Sequence, residues 1–230
     1  MRGLALIAAA GLIAAPLFMS DLSAAKAGDI ESGLAGSIKM PVTSMKARPF
    51  KTVVMQQYDF SCGAAVVATV LTHHYGQKVP EDEVFTSMYE NGDQAVIQNE
   101  GFSFLDMKAY FTRVGMKADG FELTLDEIED LGVPVIALIN LEGYFHFVVV
   151  KGIKGERVLI GDPAFGTMVM DREKFESIRQ GIVLVVRSKA KVGRKHFNQV
   201  AEWGVKPEAP ARSFLRNSST MYVDMFGTTW

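Results

Sequence analysis

The order of helical and extended patterns constrains the fold of this 230-residue chain more than any other feature of its sequence. Apolar side chains recur at helical spacing as far as Gly132, and runs rich in Val and Ile, typical of strands, follow. Those runs cover residues 133–140, 147–153, 157–162 and 181–187. We therefore predict an α+β domain over residues 51–188, in which an N-terminal helical part packs on a mainly antiparallel sheet.

Start and stop signals position the individual helices. The apolar run over residues 62–71, which follows Ser61 and ends at Gly76, predicts a buried helix. Thr124 with Glu127 three residues later is a capping box and predicts a short helix ended by Gly132. Further helices are predicted after Pro80, after Ser103 and over residues 171–178, and a short strand is predicted over residues 53–55.

The two ends of the chain differ from this domain in composition. Arg2, an apolar run over residues 4–18 and the small-x-small site at residues 25–27 predict a signal peptide over residues 1–27. A membrane anchor is the alternative, but it needs ~20 apolar residues and Pro16 interrupts the run. We therefore predict a periplasmic protein without a stable membrane span after cleavage. Residues 28–50 are predicted to be a lead-in, and residues 189–230 a loosely ordered extension.

Charge and cysteine content exclude several classes of function. The chain has 24 Lys and Arg against 26 Asp and Glu, and its formal net charge of −2 does not favour binding to nucleic acid. Its one cysteine, Cys62, excludes an internal disulfide framework and a Cys-rich metal site. We expect no nucleic-acid partner, no metal and no organic cofactor.

Cys62 is a candidate nucleophile because it stands at the start of a predicted helix. Unpaired N–H groups and the helix dipole stabilise a thiolate there. Small residues at 63–65 are expected to let a substrate backbone approach. Gln56, one short loop upstream, can place its amide NH₂ beside the Cys62 N–H where an oxyanion forms. A buried structural cysteine is the alternative, since that is the common fate of a lone thiol.

His146 is the candidate base among the four histidines of the chain. His73 and His74 share the helix of Cys62 and lie ~16 Å along its axis, which is too far for contact; both are expected to be at the surface or half-buried. His196 lies in the basic tail and is expected to be solvated. His146 instead opens an apolar strand after an expected loop over residues 142–145, so it is placed at the mouth of a cleft.

Hairpin geometry indicates Asp162 as the acid that orients His146. If a three-residue loop centres on Lys154, with Gly155 in the left-handed conformation, His146 and Asp162 lie opposite each other on one face of the sheet. Asp162 then accepts from one imidazole nitrogen and leaves the other for Cys62. A two-residue turn would move the pair one step out of register. For Asp162 alone, a turn residue before Pro163 is the alternative.

Four segments together resemble the double-glycine leader peptidases, the papain-like peptidase domains at the front of bacteriocin-exporting ABC transporters. They are QQYDFSCGAA at residues 56–65, GFSFLDMK at 101–108, HFVVV at 146–150 and GDP at 161–163. The resemblance implies a papain-like cysteine peptidase fold with Cys62, His146 and Asp162 as catalytic residues. It implies Gln56 as the oxyanion-hole residue, with Gln57 as the alternative. Ser61 departs from the family pattern, which usually has Asp there.

The resemblance also implies an activity, namely endopeptidase cleavage after small residues of the Gly-Gly type through an acyl-enzyme. The family's exporter enzymes are cytoplasmic and fused to a transporter, whereas this chain is predicted to carry a signal peptide and no transporter. Its substrate is therefore expected outside the inner membrane. Free-standing exported relatives also resemble the peptidase of some functional-amyloid secretion operons. The expected partners are then a secreted or amyloid-like subunit and secretion machinery. A non-catalytic secretion adaptor and a transpeptidase are the alternatives.

Overall fold

The computed structural model describes residues 48–58 and 60–204. The predicted signal peptide, most of the lead-in and residues 205–230 lie outside the described residues. The elements in chain order are α1 (Cys62–Thr69), continued by a π-helical turn (Val70–His74), α2 (Glu81–Asn91), α3 (Gln94–Glu100), α4 (Phe104–Arg113), β1 (Ala118–Glu122), α5 (Leu125–Leu131), β2 (Val135–Leu141), β3 (Tyr144–Lys154), β4 (Arg157–Asp162), β5 (Gly166–Asp171), α6 (Arg172–Ile178), β6 (Arg179–Val186), α7 (Ala190–Lys195) and α8 (Val200–Trp203).

The six strands form one antiparallel sheet in the order β1-β6-β2-β3-β4-β5. Helices cover both of its faces. One face packs on α1, α2 and α4 through side chains such as Phe147 and Val149, and the other packs on α5 and α6 through Val148 and Val150. This alternation along β3 explains why its sequence is continuously apolar, since neighbouring residues enter different cores. The predicted α+β architecture with an antiparallel sheet is confirmed.

Helix α1 is buried on every side, and small side chains make that possible. All eight of its residues are buried. A Cβ at Gly63 would lie 2.8 Å from Phe102 Cβ and 3.0 Å from Met107 Cε, so only glycine fits against this neighbouring segment. The expectation that residues 63–65 open the backbone to substrate is therefore wrong. Their small size serves close packing of α1.

Several elements differ from the sequence-based prediction. Residues 53–55 form no strand, and α3, β1 and β5 were not predicted. Strand β1 is an exposed edge strand with the sequence ADGFE, whose Asp and Gly are poor strand formers. The loop before β3 contains only Glu142 and Gly143, both with positive φ. His146 is therefore the third residue of β3 and not its first.

The segment after β6 continues the packed domain. Helices α7 and α8 lie within the described part of the extension that was predicted to be loose, and Phe197 between them is buried with the core formed by α5 and α6. His196 is half-buried. His74 is 1% exposed, so the expected surface position is wrong for this residue. In the described part of the chain, no helix combines the length and the apolar character of a membrane span.

Candidate active site

Cys62 is the first residue of α1, and its side chain is nearly enclosed, with 7% of the residue exposed. Ser61 stands at the N-cap position but makes no side-chain cap. Its hydroxyl instead donates to the Tyr58 carbonyl at 2.9 Å and accepts from the Tyr58 N–H at 3.1 Å, which closes the loop before the helix. Because Ser61 does not cap them, the first N–H groups of α1 are available to a negative charge beside Cys62.

His146 and Asp162 form a buried pair. His146 Nε2 lies 3.0 Å from Asp162 Oδ1, and the two residues are 2% and 0% exposed. The same carboxylate oxygen accepts from the backbone N–H groups of Ala164 at 2.7 Å and Phe165 at 3.2 Å. The two backbone bonds fix the carboxylate. Because Nε2 is bonded to Asp162, only one ring nitrogen of His146 is left to interact with another group. That nitrogen, Nδ1, is buried and has no hydrogen-bond partner among the side chains and backbone of the described residues.

The surroundings of His146 favour its charged form. Burial by itself lowers the pKa of the imidazole. The charge and hydrogen bond of Asp162 outweigh this, and the interaction with the nearby Cys62 thiol adds to them, so the pKa rises from 6.5 to about 10. The interaction with Cys62 also places the thiol beside the ring. Cys62, His146 and Asp162, which are far apart in sequence, therefore meet in one buried cluster.

Gln56 is attached to the same turn as Asp162. Its backbone N–H donates to the Pro163 carbonyl at 3.0 Å, so the segment before Cys62 is bonded to the residue that follows the acid. The Gln56 side chain is half-buried, and its Nε2 donates one hydrogen to the Tyr58 carbonyl at 3.1 Å. Gln57 is exposed. Of the two glutamines, Gln56 is therefore the one that the fold holds close to the turn carrying Asp162.

The hairpin that brings His146 to Asp162 differs from the predicted one. Its turn contains two residues, Gly155 and Glu156, and Lys154 pairs with Arg157. The predicted three-residue loop centred on Lys154 is wrong. Gly155 does have the expected positive φ, of 52°. Continued without interruption, this register would put Asp162 opposite Val149, on the other face of the sheet from His146.

A β-bulge at Lys151 corrects the register. Gly152 pairs with Leu159 but Val150 pairs with Ile160, so Lys151 is an extra residue in β3. Beyond the bulge Gly161 pairs with Val149, and Asp162 follows beside Val148. Because Val148 is two residues from His146, the base and the acid lie on the same face. The bulge, rather than the loop length, determines that the pair can form.

Three further residues near this cluster were not singled out in the sequence as site residues. Tyr144 stacks on the His146 ring with the centroids 5.9 Å apart. Glu81 is 2% exposed, and burial raises its pKa, while the nearby Ser61 side chain and Gln57 backbone act in the opposite direction. Lys151 is 1% exposed. A lysine inside the apolar run VVVKGI was the one available signal for Lys151.

A thiol at a helix N-terminus, a buried imidazole–carboxylate pair and nearby amide donors are the groups needed for acyl transfer through a covalent intermediate. Within residues 48–58 and 60–204, no group of three or more His, Cys, Asp or Glu is arranged to hold a metal ion.

Comparison with known proteins connects this arrangement to a family. A model of the Peptidase C39 family matches residues 51–191. Two proteins called "probable functional amyloid protease FapD" are 40% identical over 145 residues, in Pseudomonas fluorescens, and 39% identical over 151 residues, in Pseudomonas aeruginosa. The matches cover 63% and 66% of this chain, and they span 64% and 67% of the length of those relatives.

Solved structures of peptidases are similar to this chain in fold. A double glycine motif protease from an AMS/PCAT transporter, in complex with the leader peptide, is 30% identical, with a TM-score of 0.50, and the match covers 58% of this chain and 89% of that one. The peptidase domain of Streptococcus ComA has a TM-score of 0.51 at 23% identity, with 59% and 96% covered, and supports the papain-like fold alone. The resemblance to double-glycine leader peptidases is confirmed, and the chain belongs to the Peptidase C39 family.

Proposed function

We propose that this protein is an exported cysteine endopeptidase that cleaves secreted or leader-bearing substrates after small residues of the Gly-Gly type. The observation that carries the proposal is the buried His146–Asp162 pair at 3.0 Å, whose second ring nitrogen is left for Cys62. A purely structural cysteine needs no such pair. The family match and the two relatives called proteases support the same assignment.

In the proposed reaction, Cys62 is the nucleophile and His146 is both acid and base. The Cys62 thiolate attacks the scissile carbonyl carbon, and the Gln56 amide with the Cys62 N–H stabilises the oxyanion. The C–N bond then breaks as the His146 imidazolium gives its Nδ1 proton to the leaving amine. Nδ1 next takes a proton from water, the resulting hydroxide attacks the thioester, and the acid product leaves the restored thiolate. Asp162 holds the ring and stabilises its charge throughout.

The proposed location and partners depend on residues and relatives outside the site. The predicted signal peptide over residues 1–27 supports export to the periplasm. The relatives' description as functional amyloid proteases supports a secreted, amyloid-like subunit as substrate, with secretion machinery as a further partner. The solved complex of a double glycine motif protease with a leader peptide supports small residues before the cut.

The activity is tested with the full chain and a peptide that contains a Gly-Gly site. We expect Cys62→Ala and His146→Ala to abolish cleavage, measured by mass spectrometry of the products, with circular dichroism unchanged. His73→Ala is the control, since it removes a half-buried histidine that lies outside the His146–Asp162 pair, and it should cleave normally. Retained cleavage in Cys62→Ala would reject the mechanism.

Two further measurements separate the alternatives. A non-catalytic adaptor should react with a thiol-directed peptide electrophile no faster than a free thiol does, whereas the proposed enzyme should react much faster at Cys62. A transpeptidase should join an added amine to the acyl product, which changes the product mass. To test the substrate, peptides in periplasmic and secreted fractions are compared between cells with the wild type and cells with Cys62→Ala. To test export, the N-terminus of the enzyme is determined in the same fractions.

A further inference from the structure

Lys151, the extra residue of the β3 bulge, is a fully buried cation with polar partners from three other parts of the chain. Its Nζ lies 2.7 Å from Thr52 Oγ1 and 3.3 Å from Thr167 Oγ1, and it forms an ion pair with Glu202 of α8. Burial lowers the pKa of Lys151, and the Glu202 carboxylate opposes this by stabilising the ammonium. A buried lysine is costly unless it is paired in this way.

The stem of Lys151 crosses β4 immediately before the acid of the proposed catalytic pair. A Cβ on Gly161 would lie 2.9 Å from Lys151 Cδ, so the absence of a side chain at position 161 provides the channel for the lysine. Gly161 is followed directly by Asp162. Thr52 lies four residues before Gln56, and Thr167 pairs with Gly161 in the next strand. Lys151 thus joins the segment carrying Gln56 to the strand carrying Asp162.

Residues 198–203, called the C-terminal clasp from here on, hold the other side of the bulge. The Asn198 N–H donates to the Lys151 carbonyl at 2.9 Å, and a Cβ on Gly152 would lie 3.1 Å from Asn198 Cα. The Trp203 ring lies 5.6 Å from Lys154 Nζ, in a cation–π contact at the end of β3. The clasp therefore contacts the backbone of the bulge, the buried lysine and the end of the hairpin. It lies beyond residues 51–191, which match the family model.

We propose that Lys151 and Glu202 are positioning residues: their buried ion pair fixes the β3 bulge, and thereby the register that brings His146 to Asp162. The clasp is then a required part of this enzyme, although it contributes no group to the reaction. This inference rests on the proposed peptidase function, because positioning has a catalytic effect only if the His146–Asp162 pair acts on Cys62. A bulge leaves an unpaired backbone residue that needs partners outside the ladder, and the Asn198 N–H of the clasp supplies one for the Lys151 carbonyl.

Glu202→Gln in the full chain tests the proposal with little change in shape. We expect kcat per folded molecule to fall about a hundredfold with KM unchanged, since a misplacement of ~1 Å between catalytic groups costs on that order. The rate of Cys62 alkylation by iodoacetamide should lose its dependence on His146 and approach the pH profile of a free thiol. Lys151→Met should act in the same direction. Glu176→Gln is the matched control, because it removes the partner of another largely buried cation, Arg179.

The results distinguish failure of the positioning role from failure of the proposed peptidase function. Wild-type kcat and a wild-type alkylation profile in Glu202→Gln overturn the positioning role. A smaller folded fraction with normal kcat per folded molecule also overturns it, since that is a stability effect alone. Alkylation requires no substrate, so it tests the coupling of Lys151 and Glu202 to Cys62 even if the Gly-Gly peptide is not cleaved. An uncleaved peptide with a reactive, Glu202-dependent Cys62 contradicts the proposed substrate and supports the positioning role.

Discussion

Asp162→Asn isolates the charge of the acid from its shape. Asparagine keeps an oxygen at the Oδ1 position, so it can still accept from the His146 ring and from the N–H groups of Ala164 and Phe165. It lacks the negative charge that outweighs burial in the wild type. We therefore expect the pKa of His146 to fall from about 10 to its ordinary value of 6.5 or below.

The size of the effect follows from that change. A fall of this extent corresponds to on the order of 5 kcal/mol in favour of the neutral ring, at about 1.4 kcal/mol for each pKa unit. At pH 8, a ring with a pKa of 6.5 is charged in about one molecule in thirty. We expect kcat/KM at pH 8 to fall at least about thirtyfold, because in the proposed reaction the imidazolium supplies the proton for the leaving amine.

Two measurements check this prediction. Nitrogen-15 NMR of the imidazole, titrated from pH 5 to 11, follows the charge of His146 directly in both proteins. The pH dependence of kcat/KM should lose its basic limb at about pH 10 in the variant. Asp126→Asn, which changes an exposed aspartate paired with Arg172, should leave both measurements unchanged. A His146 ring that is still charged at pH 8 in Asp162→Asn would refute the reasoning.

Two more predictions concern stability. Because the folded pKa of His146 is raised, its contribution to the free energy of unfolding should be complete below pH ~6.5 and lost as the pH rises through about 10. Urea unfolding from pH 6 to 10 should show this decline in the wild type but not in Asp162→Asn. An equal dependence of the unfolding free energy on pH in both proteins would contradict the prediction. Gly161→Ala should cost about 1–3 kcal/mol in thermal unfolding, because the new Cβ meets the fixed Lys151 stem. An unchanged melting temperature would show that the lysine moves aside without cost.

Elements whose signals are local could be predicted from the sequence. The apolar run after Ser61 gave the start of α1 at Cys62, and Thr124 with Glu127 forms the predicted capping box of α5, ended by Gly132 in the left-handed conformation. The strand over residues 157–162 has the predicted bounds. These features depend on residues within a few positions of one another, where periodicity and capping chemistry act. The four motifs that indicated the peptidase family are likewise readable without coordinates.

How these elements meet depends on contacts between residues that are distant along the chain. The hairpin turn alone would have placed His146 and Asp162 on opposite faces, and the bulge at Lys151 reverses that outcome. Nothing local in the sequence indicates a bulge, because its partners, Thr52, Thr167 and Glu202, are distant along the chain. Edge strands β1 and β5 were missed for a related reason: short and weakly patterned, they form through pairing with strands already in the sheet. Local signals therefore predict the elements. The register of β3 with β4, on which the His146–Asp162 pair depends, includes a bulge whose lysine is bound by residues distant in sequence.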